Sequence, residues 1–384
     1  MAKTLQKILL AFFLLLASQQ QTIAQDSSRL RISLLTCTPG EELYSIFGHS
    51  AIRIIDSNNV TDYVYNYGTF NFDDEGFYLK FVRGKLLYYV SLERADDFIY
   101  NYMASGRGIT EQLLNLSADE KITVQKALNE NLKEENKYYK YDFFLDNCTT
   151  RLRDIITNNK NPKPVLPAVM PVNTRFRQAI HAYLDKGGQY WSKLGIDILL
   201  GAPTDKIMTA AEQEFLPDNL MSALDSSKNV KIIASKTNLY EIGGQKNEDN
   251  LFTPMLCFSL LFLMIFLISL SKSKFSTIFL IGFDHVFFFI IGLLGILLIL
   301  MWVATDHTMT KNNFNLIWAL PTHTLASFFI TSNKKYAKKY FLFTMILTIA
   351  LLISWLLLPQ EMNNSLLPIV LLIFYRSYAR HNKK

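Results

Sequence analysis

The sequence predicts an α+β extracytoplasmic domain followed by a five-helix transmembrane bundle. Three observations carry that prediction. Charge is unevenly divided: residues 252–384 hold three acidic residues against eleven Lys and Arg, whereas the first 251 residues hold 30 acidic and 28 basic groups. The C-terminal part also contains five apolar stretches, at about 252–271, 277–303, 314–331, 340–358 and 365–376. The N-terminal part instead shows short alternating segments suited to strands, then capped helices. The averages over 384 residues, 50% hydrophobic and 19% charged, therefore describe neither half. A single soluble core is excluded, and three cysteines are too few for a disulfide-stapled scaffold. The net charge of +6 comes from the apolar half and is no footprint of nucleic-acid binding.

Residues 1–24 read as an export signal peptide, with Lys3 and Lys7 before the apolar run 8–17 and Ala24 at the cleavage position. No cysteine lies near that site, so the protein is not itself expected to be a lipoprotein. Residues 25–225 form the expected folded domain, and 226–251 the expected linker to the membrane. Strands are predicted over 29–35, 49–55, 62–67 and 85–92, with a turn at 56–59. Ser117 and Glu120 make a capping box that opens a helix to about residue 136, burying Val124, Leu128 and Leu132. A second helix begins at Cys148, capped by Asp146 or Asn147, and buries Leu152, Ile155 and Ile156. Residues 165–251 read as helices and loops.

A membrane span needs about 20 apolar residues to cross a hydrocarbon layer of about 30 Å. The first, second and fourth stretches meet that length; Pro321 shortens the third, and the fifth is marginal. Lys272 and Lys274, then Lys334, Lys335, Lys338 and Lys339, then the tail with Arg376 and Arg380, make every second loop basic. Positive-inside logic places those loops in the cytoplasm and residues 25–251 outside, the side that an export signal also requires.

Chemistry is sought at the cysteines. Cys257 lies in the first apolar stretch and reads as a packing residue. Cys37 ends a strand and Cys148 starts a helix; in an exported protein the two could form a disulfide. Helix N-terminal amides favour a thiolate at Cys148, with Arg151 and Arg153 adding positive charge and Asp154 offsetting one of them. A nucleophilic thiol needs a base and a group to orient it. His49 opens a strand after Phe47-Gly48, whereas His181 reads as an exposed helix residue. Asn66 on the next strand is the geometric choice to orient His49; its structural alternative is a turn asparagine before Gly68. Asp284 and His285 interrupt the second apolar stretch, facing either a bundle interior or the cytoplasmic end. The run 138–144, rich in tyrosine, reads as core packing or an interfacial face.

These residues carry a resemblance. Thr38-Pro39-Gly40-Glu41 through Ile46-Phe47-Gly48-His49-Ser50-Ala51-Ile52-Arg53 resembles the Lnb N-terminal periplasmic domain, as do Tyr65-Asn66-Tyr67-Gly68-Thr69-Phe70 and the run from Asp146-Asn147-Cys148 to Asp154. The resemblance covers roughly residues 30–220, and the multi-span second half fits the same architecture. It implies a permuted papain-like (NlpC-type) domain with His before Cys, in which His49 and Cys148 are the catalytic pair and Asn66 the third member. It also implies a lipoprotein N-acyltransferase, with a phospholipid as acyl donor, a diacylated lipoprotein as acceptor, and the inner membrane as location. Asn147, Arg151 and Arg153 beside the thiol, and Asp306 and His307 on the same side of the membrane, are the candidates for contacting substrate or a developing oxyanion. No metal-ligand set or phosphate-cradling glycine loop is visible in the sequence, so no cofactor is expected. Two other readings stand beside this one: a membrane-tethered cysteine peptidase or amidase acting on cell-wall peptides, and a non-enzymatic lipoprotein-binding envelope module.

Overall fold

A computed structural model describes residues 28–241 and 251–382. The expected signal peptide lies outside the described residues. The N-terminal part is built on seven antiparallel strands: β1 (Leu30–Cys37), β2 (His49–Asp56), β3 (Thr61–Thr69), β4 (Leu87–Arg94), β5 (Ile109–Leu114), β6 (Tyr138–Lys140) and β7 (Ile233–Tyr240). Their order across the sheet is β6-β4-β3-β2-β1-β5-β7. Alternation decides the faces. Ile32, Leu34, Ile52, Ile54, Tyr65 and Tyr67 point to one side, where they pack against Val124, Leu128, Leu152 and Ile156. Leu35, Cys37, Ala51 and Val64 point to the other, where Ala95 and Phe98 of the Ala95–Ala104 helix cover them. Both faces are dry, which is why β1 buries seven of its eight residues.

The four predicted strands are present, each within two residues of its expected ends. The Ser117 capping box forms, with Ser117 Oγ accepting from the Glu120 amide, but the helix stops at Asn131 rather than 136. There the Asn131 side chain turns back to donate to the Tyr67 hydroxyl at 2.7 Å. The segment expected to be linker contributes β7, which pairs with β5 from Ile233 to Tyr240. Residues 242–250 of that segment lie outside the described residues.

In the second half, Pro254–Leu270, Lys274–Val303, Lys335–Ser354 and Leu367–His381 are helical. Lys274–Val303 and Lys335–Ser354 are long and apolar enough to cross a membrane; Pro254–Leu270 is shorter. The third expected span is not one continuous helix. It is broken into a 3₁₀ turn at Phe314–Ile317, a bend at Pro321 and a short helix at His323–Ser327. Proline cannot continue the helical ladder, and Gly292 and Gly295 of the long helix admit the irregular chain. A Cβ at Gly292 would collide with Thr324, and one at Gly295 with the Ala319 carbonyl. Asp284 is fully buried in the bundle, bonded by Arg376 at 2.7 and 3.0 Å and also by Arg380. It is therefore an interior ion pair and does not snorkel to water.

The two halves meet at the end of the Tyr190–Leu199 helix. Its last carbonyls have no partner within the helix; side-chain amides from the membrane half supply them. Asn313 donates to Ile198 and Leu199, Asn315 to Asp197 and Ile198, and Gln360 to Leu200. Beneath them the fully buried Arg177 bonds Asp205 and Asp197, and Asp197 also takes bonds from His181 and Asn363 at 2.8 Å. His181, expected at the surface, is thus half-buried in this network.

Candidate active site

Three elements deliver three side chains to one point. Gly48 adopts a positive φ of 79°, open to glycine at little cost, and a Cβ there would stand 2.9 Å from the Cys37 carbonyl. This turn places His49 at the first residue of β2. Asn66 lies one diagonal step away on β3, since Ile52 pairs with Tyr65 in the ladder. Cys148 is the first residue of the Cys148–Asn158 helix, capped by Asn147, whose Oδ1 accepts from the Thr149 and Thr150 amides at 2.9 Å. The alternative cap, Asp146, is engaged elsewhere, in a two-point ion pair with Arg151 at 2.7 and 2.8 Å.

The network fixes the imidazole tautomer. Asn66 Nδ2 donates to Glu93 Oε1 at 2.8 Å, which turns Oδ1 towards His49 Nε2 at 2.7 Å. An amide oxygen only accepts, so Nε2 carries the proton and Nδ1 is left with its lone pair for the thiol. Ser91 Oγ donates to the same Glu93 oxygen at 2.9 Å. A polar relay thus crosses β2, β3 and β4 on one face of the sheet. The Tyr102 ring stacks against His49 at 6.3 Å and 13°, closing the other side of the imidazole.

Burial pushes the Cys148 thiol up, but the charge and hydrogen bond of His49, with bonds from the Ser50 amide and the Thr149 hydroxyl, outweigh it and bring the pKa down to about 7. Burial likewise disfavours a charged imidazole; the Cys148 charge and hydrogen bond, then the bond to Asn66, override it and raise the His49 pKa. Both shifts favour passage of the thiol proton to the imidazole, towards a thiolate–imidazolium pair. Cys37 shows the opposite case. Burial pushes its thiol up to about 12 despite Arg107 and a hydrogen bond from Tyr102. Both thiols are free, so the disulfide left open by the sequence is not formed.

The Thr149 and Thr150 amides are taken by Asn147, and among the described residues the Cys148 amide has no hydrogen-bond partner. A second unengaged donor is the buried Tyr139 hydroxyl, which has no hydrogen-bond partner among the described residues. A Cβ built on Gly68 would stand 4.0 Å from that hydroxyl and 3.7 Å from Cys148 Cβ. Asn147 has no donor to spare, because its Nδ2 bonds the Phe143 and Phe215 carbonyls at 2.7 and 2.9 Å. Arg151 lies over the Tyr139 ring at 3.6 Å, and Arg153 bonds Asp154 and the Ala211 carbonyl. Asp306 pairs with Lys140 at 3.0 Å and His307 Nε2 lies 3.1 Å from the Phe81 carbonyl, so both join the outer loop to the domain. Glu93, Ser91 and Tyr102 were not singled out from sequence, and Tyr139 was read only as part of the tyrosine-rich run 138–144, as core packing or an interfacial face. Period-two placement of Ser91 and Glu93 opposite the Asn66 face is the signal that could have found the first two. Among the described residues no group of three or more His, Cys, Asp or Glu is placed to hold a metal ion.

Two family descriptions match the chain. Residues 17–176 match the Lnb N-terminal periplasmic domain, and residues 246–383 match the Lnb transmembrane domain. No curated protein and no solved structure matches it.

Proposed function

Because the chain belongs to the Lnb family, with both its periplasmic and its transmembrane domain, we propose that it is a lipoprotein N-acyltransferase of the inner membrane. It moves an acyl chain from a phospholipid, through a Cys148 thioester, to the α-amine of a lipoprotein's N-terminal cysteine. The observation that carries this reading is the buried Cys148–His49–Asn66 relay on a chain that also supplies its own membrane bundle. A thiol so activated suits acyl transfer, and a thioester keeps its transfer potential without a nucleotide.

In the first half-reaction the Cys148 thiolate attacks the ester carbonyl carbon of the phospholipid. The Cys148 amide and the Tyr139 hydroxyl are the donors available to the oxyanion. The C–S bond forms, the acyl C–O bond breaks, and His49 gives its Nδ1 proton to the departing lysophospholipid oxygen. In the second, the lipoprotein amine attacks the thioester carbonyl and loses a proton to His49. The C–N bond forms, the C–S bond breaks, and the thiolate–imidazolium pair is restored. Asn66 and Glu93 keep Nδ1 aimed at sulfur throughout.

The test is reconstitution of the full chain with phospholipid vesicles and a diacylated lipopeptide. Formation of an N-acylated product by the wild type, and none by Cys148→Ala or His49→Ala at equal protein level, is expected. A product in which water, not the amine, receives the acyl group, together with cleavage of cell-wall peptide, would favour the peptidase reading instead. Full function of Cys148→Ser in cells would favour the non-enzymatic one.

A further inference from the structure

The helix Phe77–Val82 buries none of its residues. Tyr78 is 78% exposed, Leu79 63% and Phe81 51%, a cluster of large apolar side chains that asks for a cover. The helix is tied to the membrane half at two points. The Asp306 amide donates to the Arg83 carbonyl at 2.9 Å, and His307 Nε2 lies 3.1 Å from the Phe81 carbonyl. Both residues directly follow the Lys274–Val303 helix. At 1.5 Å per residue, a helix of that length reaches about 45 Å, the thickness of a bilayer with its headgroups. The tether therefore holds the exposed apolar face at the outer lipid interface. Cations are present at the same level: Arg83 and Lys85 are exposed, and Lys140 bonds Asp306.

From there a continuous aromatic surface leads to the reactive thiol. Phe77 lies 5.9 Å from Phe70 between ring centres, Phe70 lies 5.3 Å from Tyr88, and Tyr88 stacks on Tyr141 at 4.4 Å. Tyr141 and Cys148 are neighbours across Gly68, 3.6 and 3.7 Å from where a Cβ would stand there. Tyr141 is half-buried and Phe70 half-buried, so the strip has an accessible side.

We propose that Phe77–Val82 inserts into the outer leaflet and that the aromatic strip from Phe81 to Tyr141 guides a phospholipid acyl chain out of the bilayer to Cys148. The occupant is lipid, because the tether sets the height and the flanking cations match phosphate headgroups. The guiding role rests on the acyl-donor reading above; the insertion does not.

Two measurements on the full-length protein in vesicles of phosphatidylethanolamine and phosphatidylglycerol separate these claims. First, Leu79→Trp is compared with Val172→Trp, at a loop residue 91% exposed, using brominated lipids. Bromine is expected to quench the added Leu79→Trp emission about twofold more than that of Val172→Trp; equal quenching overturns insertion, whatever the enzyme's chemistry. Second, acylation of Cys148 is followed from vesicle phospholipid and from a soluble short-chain thioester. In Leu79→Ser/Val82→Ser the ratio of the two rates is expected to fall about tenfold. An unchanged ratio overturns the guiding role, even if both rates drop. If the wild type takes an acyl group from neither donor, the acyl-transfer reading and the guiding role fall together, while the quenching result still decides insertion.

Discussion

Asn66 Oδ1 lies 2.7 Å from His49 Nε2, and because an amide oxygen cannot donate, that single contact assigns the imidazole proton to Nε2. The free lone pair on Nδ1 is what His49 would use as a base for Cys148 in the proposed reaction. Glu93 enforces the arrangement from β4 by accepting from the opposite end of the same amide. In the proposed reaction Asn66 acts through His49, as a positioning residue.

Asn66→Ala should leave a protein that still alkylates at Cys148 but turns over slowly. The expected loss is smaller than the roughly 10²–10⁴-fold contributed by a general base, and His49→Ala should show the full loss. Single-turnover rates of acyl–enzyme formation across pH distinguish the two. Asn66→Ala should keep a bell-shaped profile, and His49→Ala should lose its histidine limb.

The two buried thiols should separate cleanly by pH. A thiol brought down to about 7 becomes thiolate as pH rises through that value, so iodoacetamide labelling of Cys148 should climb around pH 7. Cys37, pushed up to about 12, should stay unlabelled over the same range. In His49→Ala the opposing charge and its hydrogen bond are gone and only the Ser50 amide and the Thr149 hydroxyl still offset burial, so the Cys148 midpoint should move upward. Peptide mapping of the labelled protein reads all three.

Tyr139→Phe removes a hydroxyl that has no partner among the described residues, so it should leave stability unchanged. If the hydroxyl meets the oxyanion, the acylation rate should fall about 10²-fold. Melting temperature and rate measured on the same preparation check both halves of the statement.

Asp284→Leu leaves Arg376 and Arg380 buried without their carboxylate. Breaking a buried ion pair on one side costs about 3–5 kcal/mol. The variant should therefore unfold at markedly lower temperature in detergent, and adding Arg376→Leu should recover part of the loss.

Local signals read well in this sequence and non-local ones did not. The alternation in β1 to β4, the Ser117 capping box and the helix start at Cys148 each depend on neighbours in the chain, and each is found where expected. β7 was missed because it is an edge strand whose residues Ala234 to Asn238 are exposed and mostly polar, leaving no apolar period to read. His49, Asn66 and Cys148 stand out by residue type and position. Glu93 matters because β4 brings it to the Asn66 amide, and Tyr102 because the Ala95–Ala104 helix brings its ring to the imidazole; for Tyr102 nothing local announces that. The broken third segment follows from Pro321 together with Gly292 and Gly295, a fit between two segments that hydropathy alone cannot express.

The central claim is that Cys148 carries the acyl group as a thioester. Wild-type protein and Cys148→Ala, each in phospholipid vesicles without acceptor, are digested and the peptide containing position 148 is weighed. A fatty-acyl adduct on the wild-type peptide, removed by neutral hydroxylamine and discharged by a diacylated lipopeptide, is expected. An unmodified Cys148 peptide under conditions where lipoprotein acylation proceeds would contradict it.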